Sequence, residues 1–391
     1  MRVGIPILAP RILLVAAMSA ALHLFAAVSP AGDAVQQIDV FQSGTGGYHT
    51  YRIPAVVLTS KNTLLAFCEG RKTSSGDAGD IDLMLRRSTD NGKTWQPMQV
   101  VYEEGGPARI TIGNPCPVID RATGTIWLPF CRNNDRVFVT KSTDDGLTWD
   151  KPIEITRDVK KPEWRWYATG PGHGIQLQSG RLVIPSDCGD GSDKNQHSLV
   201  FYSDDRGQTW KLGGVTEAAM DECEVVELAD KSLLLCMRNY RGKNRRAFAT
   251  SSDAGLSWST PVHHEQVYCP TCQASIQRYS PPPAGGKTRI LYSGPGGPGR
   301  KNMTIRLSYD EGKTWPVAKV LYAGSAAYSD LVVLPDGSIG CLYERDNYRK
   351  ITFARFSLEW LTDKSEEEIR RTTEASGGRS QSSYRPATCG L

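Results

Sequence analysis

Beyond residue 28 the chain has no apolar run able to span a bilayer, so any membrane attachment would have to come from its first residues. No cysteine closely follows that first run, which leaves a lipid-anchored form without support. An excess of one charge is missing too. Without Arg2 and Arg11 of the first 31 residues, 44 of the 46 Lys and Arg face 42 Asp and Glu, a net of +2. That balance argues for neither a nucleic acid nor an anionic surface as partner, and any electropositive character that matters must be local. A complete zinc pattern is also absent. Cys269-Pro-Thr-Cys272 has metal-like spacing, but no second Cys pair or His pair completes it, so it reads as structural. No metal and no cofactor are expected.

What is present begins with a leader. Arg2 and Arg11 precede an apolar, Ala-rich run from Ile12 to Val28, followed by Ser29-Pro30-Ala31. This has the layout of an export signal with cleavage near Ala31, an uncleaved anchor being the alternative. The expectation is a secreted or periplasmic protein, and a monomer. Ten cysteines in an exported chain make disulfides possible. Cys223 and Cys236 fall on what read as adjacent antiparallel strands, as do Cys116 and Cys131, with reduced, buried thiols as the other reading.

The most informative feature is a turn that recurs five times, S-x-D-x-G-x-[T/S]-W, starting at Ser88, Ser142, Ser203, Ser251 and Ser308. Its aspartates, Asp90, Asp144, Asp205, Asp253 and Asp310, sit 54, 61, 48 and 57 residues apart. Repetition at such a period marks a repeat architecture. Asp can hydrogen-bond nearby backbone, Gly can take positive φ, and Trp covers the turn, so the box reads as structural rather than catalytic. Between boxes run short β-branched and aromatic segments with turn signals. The mean spacing of 55 residues gives about six periods over residues 36–360. Four antiparallel strands per period, repeated radially, describe an all-β, six-bladed β-propeller over 32–361. The last period has three strands and no box, so Gln37–Phe41 is expected to supply its fourth strand and close the ring. Trimming residues 32–43 should then destabilise the whole domain. Residues 362–391 read as a polar tail, with a short helix around Glu366–Arg371.

In an up-down blade, the start of the first strand and the loop between the second and third lie on one face, while every box lies on the other. The first face collects Arg52, Arg71, Asp77, Glu222, Arg238, Arg300, Tyr328 and Glu344. Converging arginines bind a carboxylate tightly, because guanidinium forks pair with it bidentately.

The boxes, together with Tyr51-Arg52-Ile53-Pro54 and this ordered polar set, resemble the sialidase (neuraminidase) family in its secreted bacterial branch, over about residues 36–361. The resemblance implies that Arg52, Arg238 and Arg300 bind the carboxylate of a sialic acid and that Arg71 contacts the sugar ring. It implies Tyr328 as nucleophile, Glu222 as its base, Asp77 as acid/base, and Glu344 as the carboxylate that orients Arg52. Arg306 competes with Arg300, Asp80 and Asp82 with Asp77, and Glu224 with Glu222. The implied activity is hydrolysis of terminal sialic acid from glycoproteins, glycolipids or oligosaccharides. The alternatives are transglycosylation, a sialoglycan-binding propeller without hydrolysis, and a scaffold that uses the boxes only as structure. His173, near the start of a first strand, reads as a satisfied structural histidine, with a place on the rim as the alternative; Trp164 and Trp166, in a loop, read equally as glycan contacts or as packing and stay unassigned.

Overall fold

A computed structural model of the chain describes residues 35–105, 108–280 and 288–364, with Met1 and Glu368. The expected leader and nearly all of the polar C-terminal segment, including the helix expected there, lie outside the described residues. The described part is all-β, with only two short helices, Thr156–Val159 and Leu358–Thr362. None of its helices is long and apolar enough to cross a membrane.

Hydrophobic residues sort the strands into antiparallel sheets. The first comprises Thr50–Leu58, Leu64–Arg71, Ile81–Ser88 and Gln99–Tyr102. Leu64–Arg71 is buried along its whole length, because sheets cover it on both sides. The outer strand Gln99–Tyr102 is only partly covered. The second and third sheets share this plan, but their inner strands are split, Ile112–Gly113 from Val118–Ile119 and Trp166–Thr169 from Ile175–Gln176. The fourth contains Met220–Glu227, Leu233–Asn239, Arg245–Ser251 and Val262–Tyr268. The remaining sheet has seven strands, because Val317–Val333 pairs through its first half with Lys301–Ser308 and through its second half with Ile339–Arg345.

The cores lie between consecutive sheets. One joins Phe67 and Leu85 to Leu128 and Phe130, the next joins Trp127 to Ile184 and Phe201, and another joins Val200 to Val225 and Leu235. The series returns to its start where Val332, Leu342 and Phe353 pack on Val56, Leu64 and Met84. The arrangement is therefore propeller-like. Strand Gln36–Gln42 pairs antiparallel with Lys350–Phe356, and Asp39 clamps it through Lys350 at 2.7 Å and Arg345 at 2.8 Å. Removing residues 32–43 strips that partner from a strand whose Ile351 and Phe353 pack in one core and whose Ala354 and Phe356 pack in another. The expected result is a lower midpoint for unfolding of the whole domain in a single transition, measured by circular dichroism; a separate early transition would contradict it.

The five turns are built alike. In the first, Ser88 Oγ donates to Asp90 Oδ1 at 2.8 Å, Gly92 N donates to Ser88 Oγ at 2.9 Å, and Thr94 donates from N and Oγ1 to the two carboxylate oxygens at 2.9 and 2.6 Å. Gly92 has φ of 81°, and a Cβ there would run into Phe353 of the last sheet. Gly207 likewise faces Trp127 of the sheet before its own. Each box thus seats its unit on the preceding one, with the first seated on the last.

All nine described cysteines are free and buried, so the possible pairings do not form. Register explains one case. Cys223 is opposite Met237 while Cys236 is opposite Glu224, which sends the two thiols to opposite faces.

Candidate active site

Three inner strands carry a register irregularity at the same end of the molecule, between Arg52 and Ala55, Met220 and Cys223, and Ala326 and Ser329. Bulges re-aim side chains, and here they tip Arg52, Glu222 and Tyr328 toward a common centre. Ile53 takes φ of 62° beside Arg52. A β-branched residue is strained there, and Glu344 holds it by accepting Ile53 N at 3.0 Å.

Each arginine has its own support. Glu344, with no exposure, takes Arg52 Nε and Nη2 at 3.0 and 3.1 Å and also accepts Tyr328 N at 3.2 Å. Glu69 binds Arg71 through Nε and Nη2 at 3.0 and 2.7 Å. Arg238 Nη1 donates to Glu222 at 2.7 Å and to Tyr328 Oη at 3.0 Å, while Nη2 donates to Tyr240 Oη at 2.8 Å. Tyr240 in turn donates to Asp221 at 2.5 Å. Arg300 donates to Tyr348 Oη and to Thr271 O, both at 3.1 Å, and pairs with no carboxylate among the described residues. Its guanidinium lies 5.4 Å from the centre of the Tyr328 ring and that of Arg52 lies 5.0 Å from it.

Tyr328 Oη donates to Glu222 Oε1. Burial, then the neighbouring Glu222 charge, push the phenol well above its ordinary value, against the pull of Arg238 and Arg52. Asp77 stands on the loop after Arg71 with its side chain 74% exposed, its Oδ1 accepting from Arg71 at 2.7 Å and Arg52 at 3.3 Å. Burial raises its pKa, but Arg71, then Arg52 and Arg300, outweigh that and hold the carboxyl below its usual range.

All eight expected residues are thus linked by direct contacts. The rivals are placed elsewhere. Arg306 lies beside Tyr292 in a sheet. Lys72 engages Asp80 and Asp82 at 3.2 and 3.1 Å. Glu224 turns to a different partner set, beneath the site. Trp166 opens a strand rather than sitting in a loop, and its Nε1 donates to Asp187 at 2.7 Å.

A cavity of about 230 Å³ holds Asp77, Glu222, Arg238 and Tyr328 and extends to Trp166, Asp187 and Gln196. Asp187 is almost fully buried, and burial, then Asp221 and Glu222, push its pKa well above the carboxylate range. Asp187, Asp221 and Tyr240 are not picked out by the sequence, and Trp166 is left unassigned by it. Asp187 lies near the end of the second strand of its unit, Leu182–Gly189, as Arg71, Arg238 and Glu344 do at or near the ends of theirs, so a comparison of strand ends would have found it. A larger cavity of about 720 Å³ opens at the other ends of the inner strands. Arg121 and Arg278 on its wall already donate to the protein, to Gln176 O at 2.8 Å and Glu227 O at 2.7 Å, so it offers fewer free polar groups.

The model of the BNR repeat-like domain family matches residues 62–341. A sialidase of Micromonospora viridifaciens is 36% identical over 365 residues, covering 86% of this chain and 56% of that protein. The chain therefore spans little more than half the length of that relative. An exo-alpha-sialidase of Aspergillus fumigatus is 32% identical, covering 81% of this chain and 86% of the relative. Among solved structures, the Hadza microbial sialidase Hz136 superposes with a TM-score of 0.77 at 31% identity, covering 84% of this chain and 69% of that one.

Proposed function

The chain belongs to the sialidase family, and we propose that it is a retaining exo-alpha-sialidase that releases terminal sialic acid from glycoconjugates through Tyr328. The observation that carries this reading is the Tyr328–Glu222 hydrogen bond bridged by Arg238 beneath Arg52 and Arg300. A sialic acid bears a carboxylate on its anomeric carbon, so a carboxylate nucleophile would be repelled where a neutral phenol is not; sialidases are known exceptions to the two-carboxylate scheme. A phenol is a weak nucleophile until a base takes its proton, and Glu222 is in hydrogen-bond contact to take it.

Arg52, Arg238 and Arg300 bind the substrate carboxylate and hold the ring near its oxocarbenium geometry. Tyr328 Oη bonds to the anomeric carbon as its proton passes to Glu222, while Asp77 protonates the departing glycosidic oxygen. Water then attacks the anomeric carbon as its bond to Tyr328 Oη breaks, a proton passes from the water to Asp77, and the released tyrosyl oxygen recovers its proton from Glu222. The leader-like residues 1–31 support an exported, secreted or periplasmic, enzyme. Counting Val317–Val333 in two units gives six four-stranded sets, which supports a six-bladed propeller closed by Gln36–Gln42.

Time-resolved NMR of an aryl α-sialoside tests the reading. The α anomer of free sialic acid should appear first and then mutarotate. A β anomer first would remove the double displacement, an anhydro sugar or a sialylated acceptor would mean transglycosylation, and binding without turnover would leave a sialoglycan-binding propeller.

Asp77 gives a pH signature. Arg71 favours its ionised form, so Arg71→Met raises the Asp77 pKa and keeps the acid protonated to higher pH. The alkaline limb of the kcat/KM profile should move upward in that variant; an unmoved limb would mean that another group supplies the proton.

A further inference from the structure

The two strands that carry Glu222 and Tyr328 carry a second acid each, two residues on, at Glu224 and Asp330. Both have no exposure. Asp330 Oδ1 accepts His173 Nδ1 at 2.7 Å, and Glu224 Oε2 lies 4.0 Å from the same nitrogen. Ser275 Oγ reaches Glu224 at 2.8 Å and Asp330 at 3.1 Å, but its single proton serves one of them at a time. Backbone donors occupy the other lone pairs, Ile276 N on Glu224 at 2.9 Å, and Leu331 N and Val56 N on Asp330 at 2.9 and 2.6 Å. Gln273 bridges Glu224 and Ser329 O at 3.3 and 3.0 Å. The cluster therefore ties together the inner strands that meet beneath the site.

Two buried carboxylates this close repel strongly at low dielectric unless a cation lies beside them or one holds a proton; burial, then Asp330, push the Glu224 carboxyl well above its ordinary range, and His173 pulls it back. The reactive atoms of His173, Glu224 and Asp330 lie within 4.8 Å of one another, the spacing of a cation site. His173 Nδ1 is itself one of these atoms and donates to Asp330. Burial alone would keep the imidazole neutral, but Asp330 and then Glu224 overcome this and raise its pKa to about 9.

We propose that protonated His173 is a positioning residue: it holds Glu224 and Asp330 together, and so keeps Glu222 and Tyr328, one layer above on the same two strands, at hydrogen-bonding distance. This rests on the proposed roles of Glu222 and Tyr328. Without the cation the two acids move apart, and the bulged strand starts follow. Arg52 on Glu344 and Arg300 on Tyr348 keep partners outside these two strands, so substrate affinity falls less than turnover.

The test compares the full chain with His173→Gln and with His173→Gln/Glu224→Gln, which takes away the second acid together with the imidazole. In the single variant kcat should fall about tenfold or more with a smaller change in KM, since small misplacement of reacting groups is costly. The double variant should regain most of the loss, which a role in packing alone would not produce. A single variant that fails to fold beside a folded, active double variant also supports charge balance. Unchanged kcat in the single variant, a double variant no better than the single, or two unfolded variants would overturn the proposal. If the wild-type chain hydrolyses no sialoside, the functional reading fails separately. Crystal structures of the same variants then decide: a Tyr328–Glu222 separation lengthened beyond about 3.2 Å in the single variant and restored in the double supports the positioning role, and an unchanged one removes it.

Discussion

Tyr328→Phe is expected to lower kcat on an aryl α-sialoside by at least ~10²-fold, the scale of losing one proton-transfer partner and its nucleophile. The substitution removes one oxygen and little else. The ring stays packed on Ile53, Cys272 and Ala327, and still faces the Arg52 guanidinium. Glu222 loses the phenol donor but keeps Arg238 at 2.7 Å, so no buried charge is left alone. Thermal stability and affinity for free sialic acid should therefore change little, which separates chemistry from folding and binding. Steady-state kinetics beside calorimetric binding provide the check. A variant that keeps wild-type kcat would exclude Tyr328 as the nucleophile, and one that loses binding as well would mean that the phenol holds the arginines in place.

Glu344→Ala is expected to affect both stability and activity. Its carboxylate accepts two bonds from Arg52 and the backbone N–H groups of Ile53 and Tyr328. Truncation leaves the Arg52 side chain, 8% exposed, with only the solvent-facing Asp77 as a carboxylate partner. Breaking a buried pair in this way costs about 3–5 kcal/mol. It also frees the strained backbone at Ile53 and the amide of the residue proposed as nucleophile. Denaturant unfolding should show the loss, and kcat/KM should fall through both terms. Glu344→Gln keeps the shape and an acceptor but not the charge, so its effect should be intermediate. If Glu344→Ala matched the wild type in both assays, the orientation of Arg52 would have to come from Asp77 and the Tyr348 ring, 4.3 Å away.

The box turns were readable because everything that makes them lies within a few residues. In each, Ser, Asp, Gly and Thr bond within the same short segment, as from Gly92 N to Ser88 Oγ. The choice of Arg300 over Arg306 rests on spacing; Arg300 lies at Tyr348 and the Tyr328 ring, and Arg306 beside Tyr292. Glu224 was a rival for Glu222 on the same reasoning. Both lie on one strand, and only its bulge between Met220 and Cys223 decides which acid meets Tyr328. The sequence points to a satisfied histidine at 173, but it does not show that the neighbours are two buried acids far away in the chain, Asp330 at 2.7 Å and Glu224 at 4.0 Å.

Sequence alone determined the repeat, the strand-rich class, the face on which the arginines gather and the acids and phenol that accompany them. These follow from local turn chemistry and from the alternation that topology imposes on successive strands. Tertiary structure decided what depends on register and on contacts across the ring. It kept Cys223 and Cys236 apart, brought Asp187, Trp166 and Tyr240 to the cavity wall, and set a buried imidazole between Glu224 and Asp330. A one-residue change of register turns a side chain to the other face of its sheet, and no short-range pattern records which register the neighbouring strand imposes.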